Sequence, residues 1–371
     1  MIDGRATSEG TARYAARFAP TVPGENYRRL KPAGQLSSLG LGTYLGREDA
    51  ATDDLYRRAI GQALERGLNV VDTAVNYRHQ RSERVIGAVL AERIKRGELR
   101  RDEVVVATKG GYIPLDADAG TDARTYFTET YLRSGIVRPD DVVGGAHCMT
   151  PRYLADQIER SRQNLGLSTI DIYYVHNPES QLDEVERPVV LERLRDAFTA
   201  LEQAVQEGKI GCYGTATWNG YRQAPTDPDY LSLEEVLEAA RTVAGDGHHF
   251  KVVQLPYNLG MTEAFTRANQ RVGKETVPAL EAARRLGVYV MASASVHQGQ
   301  LTRNLPPMLT EFLPGLQTDA QRALQFVRST PGVGTALVGM KSVAHVVENA
   351  GVAATAPMPW DQFGRLFTAG S

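Results

Sequence analysis

The sequence predicts an α/β protein that folds as a (β/α)8 TIM barrel with long loops at the carboxyl ends of its strands. Eight short apolar runs alternate with eight amphipathic helical segments along the chain. Each run is apolar at successive positions, as is typical of strands in a parallel sheet that helices cover on both faces. A doubly wound open sheet is the alternative, but no GxGxxG motif follows the first predicted strand. The strict alternation over eight units therefore favours a closed barrel.

The predicted elements follow one another in regular order. The strands cover residues 39–44, 69–72, 103–109, 170–176, 210–215, 252–255, 288–292 and 334–338. The helices cover residues 53–66, 83–96, 151–165, a segment that ends near 209, and then 233–243, 277–286, 320–328 and 343–353. Ser82 directly precedes the second of these helices, where its hydroxyl is expected to act as the N-cap.

The first part of the chain does not fit this rhythm. Residues 1–35 mix Arg, Gly, Pro and Ser without a sustained helical or strand period. We therefore expect an N-terminal extension at 1–35, followed by a single barrel domain at 36–371.

Three longer segments interrupt the alternation, and each follows a strand. They cover residues 110–150, 257–275 and 297–318. In a barrel of this kind the loops after the strands carry the active site. Because all three segments follow strands, we expect them to cover that face of the barrel, and we expect the long 110–150 insertion, which is rich in aromatic residues, to form an unusual substrate lid.

The composition narrows the class of protein. Lysine and arginine number 42 against 44 aspartate and glutamate, and the net charge of -2 gives no global sign of a nucleic acid or anionic membrane partner. No apolar run approaches the roughly 20 residues that a bilayer requires. Cys148 and Cys212 form neither a CxxC motif nor a disulfide framework. We expect a cytoplasmic protein with a small-molecule partner and without a nucleic acid or membrane partner; its oligomeric state is left open.

Four polar residues lie at or just after the ends of three neighbouring predicted strands. Asp72 and Tyr77 follow the second strand, Lys109 ends the third, and His176 ends the fourth. Each has a structural explanation on its own, such as an ion pair between Lys109 and Asp72 or a core histidine at His176. Together they would meet at one mouth of the barrel, where an acid, a phenol, an ammonium and an imidazole are suited to proton transfer.

At this point the chain resembles the aldo-keto reductase superfamily. The resemblance runs from about residue 39 to 353 and is carried by an ordered set of motifs. These are Val71-Asp72-Thr73-Ala74 with Tyr77, Ser82-Glu83 and Ile86-Gly87; Ala107-Thr108-Lys109; Asp171-Ile172-Tyr173-Tyr174-Val175-His176-Asn177-Pro178; Gly208-Lys209-Ile210-Gly211; Gln254 with Tyr257-Asn258; and Gly339-Met340-Lys341-Ser342 with Glu348-Asn349.

The resemblance implies a catalytic tetrad of Asp72, Tyr77, Lys109 and His176. Tyr77 would protonate a carbonyl oxygen that receives negative charge as hydride arrives at the carbon. A free phenol has a pKa near 10, and we expect the Lys109 ammonium to lower it. Asp72 would keep Lys109 charged, while a neutral His176 would donate a hydrogen bond that orients the carbonyl group.

The resemblance also implies a cofactor site for NADPH, with NADH possible, and a substrate pocket. The implied cofactor-binding residues are Gly42, Thr43, Asp72, Thr217, Gln254, Ser293, Lys341, Ser342, His345, Glu348 and Asn349. The implied pocket residues are Tyr44, Tyr112 and Asn177. Lys341 and Ser342 stand at the start of the last helix, where a cation and a helix N-terminus suit the 2'-phosphate of NADPH.

Three positions depart from the pattern of the superfamily. Ala216-Thr217 stands where Ser-Asn is usual, which removes one expected contact to the nicotinamide carboxamide. Ser293 stands where an aromatic residue usually stacks on the nicotinamide, and His345 stands where an arginine often joins the phosphate site. These departures bear on cofactor affinity and on the preference for NADPH over NADH.

Two other functions are compatible with parts of the pattern. One is a protein that binds NADPH without turnover, or with slow turnover, and serves as a redox sensor or scaffold. The other is a metal-dependent barrel hydrolase that uses Asp72, His147 and His176. It is the weaker of the two, because no His-x-His motif stands at the early strand ends and Lys109 would occupy the position of the metal.

Overall fold

The computed structural model describes residues 1–367 and shows a closed barrel of eight parallel strands surrounded by helices. The prediction of a (β/α)8 barrel is confirmed. The strands, in chain order, are β1 Tyr27–Leu30, β2 Gly34–Ser37, β3 Leu39–Gly42, β4 Val70–Asp72, β5 Val105–Gly110, β6 Ile170–His176, β7 Ile210–Ala216, β8 Phe250–Pro256, β9 Gln270–Val272, β10 Glu275–Val277, β11 Tyr289–Ser293 and β12 Thr335–Gly339.

The eight helices that follow the barrel strands agree with the predicted segments to within a few residues at most ends. The α-helices are α1 Ser8–Phe18, α2 Ala50–Leu64, α3 Arg81–Lys95, α4 Ala123–Phe127, α5 Pro151–Leu165, α6 Arg187–Gln206, α7 Leu233–Ala244, α8 Glu263–Thr266, α9 Ala279–Arg285, α10 Met308–Phe312, α11 Asp319–Ser329, α12 Val343–Ala350 and α13 Trp360–Phe363. Among residues 1–367, no helix combines the length and hydropathy needed to cross a membrane.

The strand register brings the predicted site residues to one end of the barrel. The order around the barrel is β3, β4, β5, β6, β7, β8, β11 and β12, and β12 closes onto β3. Gly42 pairs with Asp72 between β3 and β4, and His176 pairs with Ala216 between β6 and β7. The carboxyl ends of these strands therefore form a continuous rim that carries the polar residues.

Both faces of the barrel strands are buried, which explains their continuous apolar runs. Val70, Val105 and Ile172 point into the barrel and pack in one cluster, whereas their neighbours Val71 and Val106 pack against the surrounding helices. This is the arrangement expected of a parallel sheet covered by helices.

Residues 1–35, the predicted N-terminal extension, contain regular structure that the local periodicity does not show. They form α1 and the antiparallel β1–β2 hairpin, which continues to residue 37. Leu30 and Leu36 belong to the same buried cluster as the first residues of the barrel strands. The hairpin thus closes the amino-terminal end of the barrel. Helix α1 is held by long-range bonds, such as that from Tyr14 Oη to the Leu64 carbonyl oxygen at 2.6 Å, which local periodicity does not reveal.

Ser82 is not the N-cap of the second helix. Helix α3 begins at Arg81, one residue before Ser82, and the residue that precedes the helix is Gln80 in a left-handed conformation. The Ser82 hydroxyl is buried and donates to the Thr43 carbonyl oxygen at 2.9 Å. Ser82 therefore ties α3 to the end of β3 instead of capping its own helix.

Candidate active site

A cavity of about 800 Å³ opens at the carboxyl ends of the barrel strands. Its size lies within the range of small-molecule sites. All but two of the predicted site residues border it, the exceptions being Lys109 and Ser342. The predicted residues that line the cavity are Gly42, Thr43, Tyr44, Asp72, Tyr77, Tyr112, His176, Asn177, Thr217, Gln254, Ser293, Lys341, His345, Glu348 and Asn349.

Lys109 is fully enclosed at the end of β5, directly behind the cavity wall. Its Nζ atom lies 2.7 Å from Asp72 Oδ1 and donates a second hydrogen bond of 2.7 Å to the Thr73 carbonyl oxygen. Burial lowers the pKa of Lys109, and the Asp72 carboxylate opposes that shift. Because an unpaired buried ammonium is costly, Asp72 and the Thr73 carbonyl together account for a lysine in this place.

Both carboxylate oxygens of Asp72 have partners. Oδ1 accepts from Lys109, and Oδ2 accepts from Gln254 Nε2 at 2.8 Å. The amide of Gln254 is thereby oriented at the cavity wall. The backbone N–H of Thr217 donates to the Gln254 carbonyl oxygen at 2.8 Å, so β7 and β8 are joined next to this side chain.

Tyr77 lies between the buried ion pair and the rim of the cavity. Its ring centroid is 5.1 Å from Lys109 Nζ, 5.0 Å from the Tyr44 ring and 6.0 Å from the His176 ring. The pKa of Tyr77 is raised well above its ordinary value, first by burial and then by the charge of Asp72. Tyr77 consequently keeps its proton at neutral pH. Neither of these two causes comes from Lys109, so the expectation that its ammonium lowers the pKa of Tyr77 stays a prediction.

His176 ends β6 on the other side of Tyr77. Burial, and next the nearby Lys109 ammonium, lower the pKa of His176 well below its ordinary value. The imidazole is therefore neutral at physiological pH. Its Nδ1 atom is buried without a hydrogen-bond partner among the residues described.

A second histidine supports the end of β6 from the 110–150 insertion. His147 Nε2 bonds to the His176 carbonyl oxygen at 2.7 Å, and Gln181 Nε2 bonds to His147 Nδ1 at 2.7 Å. Because a Cβ atom on Gly111 would lie 2.6 Å from that carbonyl oxygen, glycine is needed there for the close approach. The His147 ring also packs edge to face on Tyr112, with 5.2 Å between the ring centroids.

Tyr112 and Asn177 form a polar wall beside His176. Asn177 Nδ2 donates to the Tyr112 hydroxyl at 3.3 Å, and that hydroxyl lies 3.1 Å from Ser180 Oγ. Asn177 adopts a left-handed conformation with φ of 45°, which Asn tolerates better than most residues. The geometry places Tyr112 and Asn177, two of the three predicted pocket residues, on the same side of the cavity.

The opposite part of the cavity is bordered by helix α12. Lys341 and His345 are exposed there, and Asn349 Oδ1 is buried without a partner in the described part of the chain. Ser342 does not line the cavity. Its Oγ accepts from the backbone N–H of His345 at 3.3 Å, so its side chain caps the helix.

The predicted aromatic lid is not present. Tyr126, Phe127 and Tyr131 lie outside the cavity lining, and only Tyr112 of the 110–150 insertion reaches it. Tyr131 is buried against Tyr153 of α5, with 6.2 Å between the ring centroids. These aromatic residues attach the insertion to the barrel wall, because their apolar area is buried there.

Sequence reasoning missed several residues that line the cavity. They include Leu45, Tyr56, Asn76, Trp218, Ala294, Ser295, Val296, Gln298, Gly299 and Thr302. Ala294 and Gln298 have φ angles of 54° and 52°, and such backbone conformations cluster at functional sites. Two signs were available in the sequence: a tryptophan at 218, two residues after the end of β7, and a Gln-Gly pair soon after β11.

The arrangement argues against a metal site formed by Asp72, His147 and His176. Asp72 is occupied by Lys109 and Gln254, and both ring nitrogens of His147 take part in hydrogen bonds. Among residues 1–367, no group of three or more His, Cys, Asp or Glu side chains is suited to hold a metal ion.

Two curated relatives match part of the chain. It is 28% identical over 189 residues to the NADH-specific methylglyoxal reductase of Escherichia coli (strain K12), and the match covers 49% of this chain and 48% of that protein. It is 30% identical over 169 residues to the D-threo-aldose 1-dehydrogenase of Pseudomonas sp, and the match covers 44% of each chain. The matches thus span only about half the length of these relatives.

Solved structures show the same fold over nearly the whole chain. An aldo/keto reductase from Klebsiella pneumoniae in complex with NADP and acetate has a TM-score of 0.61 and 22% identity, covering 93% of this chain and 95% of that one. The glycerol dehydrogenase from Gluconobacter oxydans has a TM-score of 0.63 and 20% identity, with coverage of 93% and 95%. The model of the aldo/keto reductase family matches residues 38–308. This match covers well over half of the chain and confirms the resemblance, so the chain belongs to the aldo/keto reductase family.

Proposed function

We propose that this protein is an NADPH-dependent oxidoreductase that reduces an aldehyde or ketone to an alcohol, or catalyses the reverse reaction, with Tyr77 as the general acid. The observation that carries the proposal is the position of Tyr77 and His176 at the cavity wall, next to the buried ion pair of Lys109 and Asp72. Carbonyl reduction places negative charge and then a proton on one oxygen. A proton donor beside a neutral hydrogen-bond donor meets that need.

The residues around the cavity fit a nicotinamide dinucleotide. Gly42 and Gly339 pair in register at the rim, and no protein atom lies within 3.7 Å of a Cβ atom built on either residue. Bare backbone therefore borders the cavity and leaves room for a ligand. The unpartnered Oδ1 of Asn349 suits an amino donor such as that of adenine. When bound, NADPH supplies the hydride for the carbonyl carbon.

The remaining cofactor contacts divide between the two ends of the cavity. Gln254, oriented by Asp72, would hold the nicotinamide carboxamide together with Thr217. Lys341, just before α12, and His345, in its first turn, would hold the 2'-phosphate. Anion binding at this helix start agrees with the direction of the helix dipole.

The side chains of Tyr77, Lys109 and His176 would carry out the proton transfer. The raised pKa of Tyr77 keeps the phenol protonated until the carbonyl oxygen becomes basic. Lys109, behind the ring, stabilises the phenolate that remains after proton transfer. His176, which is neutral, donates a hydrogen bond to the same oxygen and holds the carbonyl group at Tyr77.

The lining also indicates a small, uncharged and oxygenated substrate. Among the described lining residues, Lys341 is the only lysine or arginine, and it lies on the α12 side. Near His176 the wall offers phenol and amide groups from Tyr112 and Asn177 instead of a cation. Hydroxyl groups next to the carbonyl would suit these partners. The names of the two curated relatives, a methylglyoxal reductase and an aldose dehydrogenase, agree with this class.

A cytoplasmic location is part of the proposal. It is supported by Cys148 and Cys212, which are both free and buried in the structure. Buried unpaired thiols are ordinary in a reducing compartment.

Nicotinamide absorbance tests the proposal. Purified protein would be mixed with NADPH and then NADH against a panel of 2-oxoaldehydes, aldoses, ketoses and simple ketones. Tyr77→Phe should lower kcat by about 100- to 10,000-fold, the usual contribution of a general acid. Cofactor binding should persist, because the Tyr77 hydroxyl forms no hydrogen bond to another described residue.

Tyr44→Phe is the matched control, since it removes a hydroxyl from the ring that packs on Tyr77 at 5.0 Å. It should leave kcat within about threefold, well below the loss expected for a general acid. Retention of most activity in Tyr77→Phe would refute the mechanism. Tight binding of NADPH without turnover of any compound would favour the sensor or scaffold function.

A further inference from the structure

A buried carboxylate stands beside the cavity and belongs to none of the groups described above. Glu179 lies in the 3-10 helix Pro178–Asp183, three residues after His176, and its exposed fraction is 5%. Its Oε1 atom accepts hydrogen bonds from three successive backbone N–H groups, those of Trp218 at 2.6 Å, Asn219 at 3.1 Å and Gly220 at 3.4 Å. The carboxylate therefore clamps the loop that follows β7.

The surroundings of Glu179 are unusual for a charged group. Its Oε2 atom is buried without a partner among residues 1–367, and no lysine or arginine of these residues is among the groups that shift its pKa. Successive N–H groups form a concave site that favours an anion. Burial raises the pKa of Glu179 to about 7, and the three N–H bonds act against that shift. A buried carboxylate that no cation compensates costs folding energy, so a role in the site is a better explanation than stability.

The clamped loop forms one wall of the cavity. Thr217 and Trp218 both line it, and the Trp218 side chain is 46% exposed. On its other side Glu179 is anchored to the end of β6 by the short connection from His176. One carboxylate thus joins the strand that carries His176 to the loop that carries Thr217 and Trp218.

We propose that Glu179 is a positioning residue of the active site, whose carboxylate holds Thr217 and Trp218 in place as the wall against which cofactor and substrate bind. The inference rests on the proposed function of the cavity. Glu179 itself does not line the cavity, so its effect passes through the loop. Trp218 is placed to select substrates by the shape of the wall it forms.

The hold on the loop depends on pH, because an ionised carboxylate is the stronger acceptor for N–H groups. The other polar groups on this loop have partners of their own. Arg222 Nε donates to the Trp218 carbonyl oxygen at 3.0 Å while its Nη1 pairs with Glu263 at 2.8 Å.

Two further groups lie next to the loop that Glu179 binds. Asp229 accepts from Asn219 Nδ2 at 2.7 Å. Tyr221 Oη lies 2.6 Å from Thr215 Oγ1, and burial raises the pKa of Tyr221 far above neutrality. Tyr221 therefore does not titrate near pH 7, and Glu179 is the group around the loop that the structure assigns to that range.

The chain provides its own probe of this loop. It contains two tryptophans, Trp218 and Trp360, so Trp360→Phe leaves Trp218 as the only one. In this background, Trp218 emission and acrylamide quenching would be followed from pH 5.5 to 8.5 without any ligand. We expect one transition with a midpoint near pH 7, with stronger quenching at the acid side.

Two variants and a control complete the experiment. Glu179→Ala should raise the quenching constant of Trp218 about twofold at pH 8, because the loop loses its acceptor. Glu179→Gln keeps an acceptor oxygen but no titratable charge, so it should restore most of the protection and abolish the transition. Glu184→Ala is the control, since Glu184 Oε1 accepts from the Gly144 backbone N–H at 2.7 Å and clamps a different loop.

The kinetic constants give a second measurement, and a purely structural role of Glu179 would not produce the change in them that we expect. Glu179→Ala should raise KM for the carbonyl substrate about tenfold with a smaller change in kcat, and Glu179→Gln should reverse most of that rise. Unchanged quenching in Glu179→Ala, or a pH transition that persists in Glu179→Gln, would overturn the proposal. If Glu179→Ala does not fold, the Glu179→Gln titration decides. Because the fluorescence requires no turnover, its result is independent of whether the protein is a reductase.

Discussion

Lys109→Met is the sharpest test of the buried ion pair that underlies the site. Methionine has a similar length but no charge, so the variant leaves the Asp72 carboxylate buried. At a separation of 2.7 Å and an effective dielectric constant of about 20, the attraction between the two charges amounts to about 6 kcal/mol. This attraction offsets a desolvation cost of several kcal/mol for each ion. Of the donors that Asp72 has in the described residues, only Gln254 Nε2 remains in the variant.

We expect Lys109→Met to lower the free energy of unfolding by about 3–5 kcal/mol, the usual cost of leaving one member of a buried pair alone. Urea unfolding followed by far-UV circular dichroism would measure the loss, with unchanged m-values as the check on two-state behaviour. The double variant Lys109→Met, Asp72→Asn removes the orphaned carboxylate as well. It should recover part of the loss, with a coupling energy of at least about 2 kcal/mol in the double-mutant cycle.

Two results would refute this reasoning about Lys109 and Asp72. A loss below about 1 kcal/mol would mean that the carboxylate is solvated or protonated in the variant, since a buried orphan charge costs more than that. If the two single substitutions have additive effects on the free energy of unfolding, the charges of Lys109 and Asp72 do not stabilise each other. In either case the Asp72 carboxylate would not be the group that keeps Lys109 charged beside Tyr77.

Two further predictions concern the cofactor site and the fall in the free energy of unfolding at acid pH. Lys341→Ala should raise KM for NADPH about tenfold, equivalent to about 1.4 kcal/mol, and change KM for NADH little, because the side chain borders the cavity where we assign the 2'-phosphate. Lys274→Ala, an exposed lysine between β9 and β10, is the control, and equal effects of Lys341→Ala on both cofactors would contradict the assignment. For His147, burial lowers the pKa to about 4, whereas an unfolded histidine titrates near 6.5. Only the unfolded state takes up this proton between those values, so the free energy of unfolding should fall as the pH drops from about 6.5 to about 4. His147→Asn should make this limb of the denaturation profile shallower, and an unchanged slope would speak against a buried neutral His147.

The sequence by itself determined the barrel and the residues gathered at its mouth. The eight apolar runs are long enough to be recognised because both faces of each strand are buried, as Val105 and Val106 illustrate. Once the strands are parallel, their carboxyl ends share one rim, so Asp72, Lys109 and His176 had to meet there. The resemblance named further residues that line the same cavity, among them Gln254 and Lys341.

Other features were decided only by the tertiary structure, because they depend on contacts between residues far apart in the chain. Residues 1–35 are held on the barrel by long-range contacts such as that of Tyr14 with Leu64, which leave no local period. Tyr131 packs on the barrel wall instead of covering the cavity, since aromatic content does not reveal which surface a loop buries. The pKa of Tyr77 rises because burial and the charge of Asp72 both favour the neutral phenol, and spacing along the chain does not show which groups are buried together. Glu179 belongs to no recognisable motif. Its partners are backbone N–H groups some 40 residues further along the chain. Because nearly every residue has such a group, the sequence does not show which of them the fold will bring to Glu179.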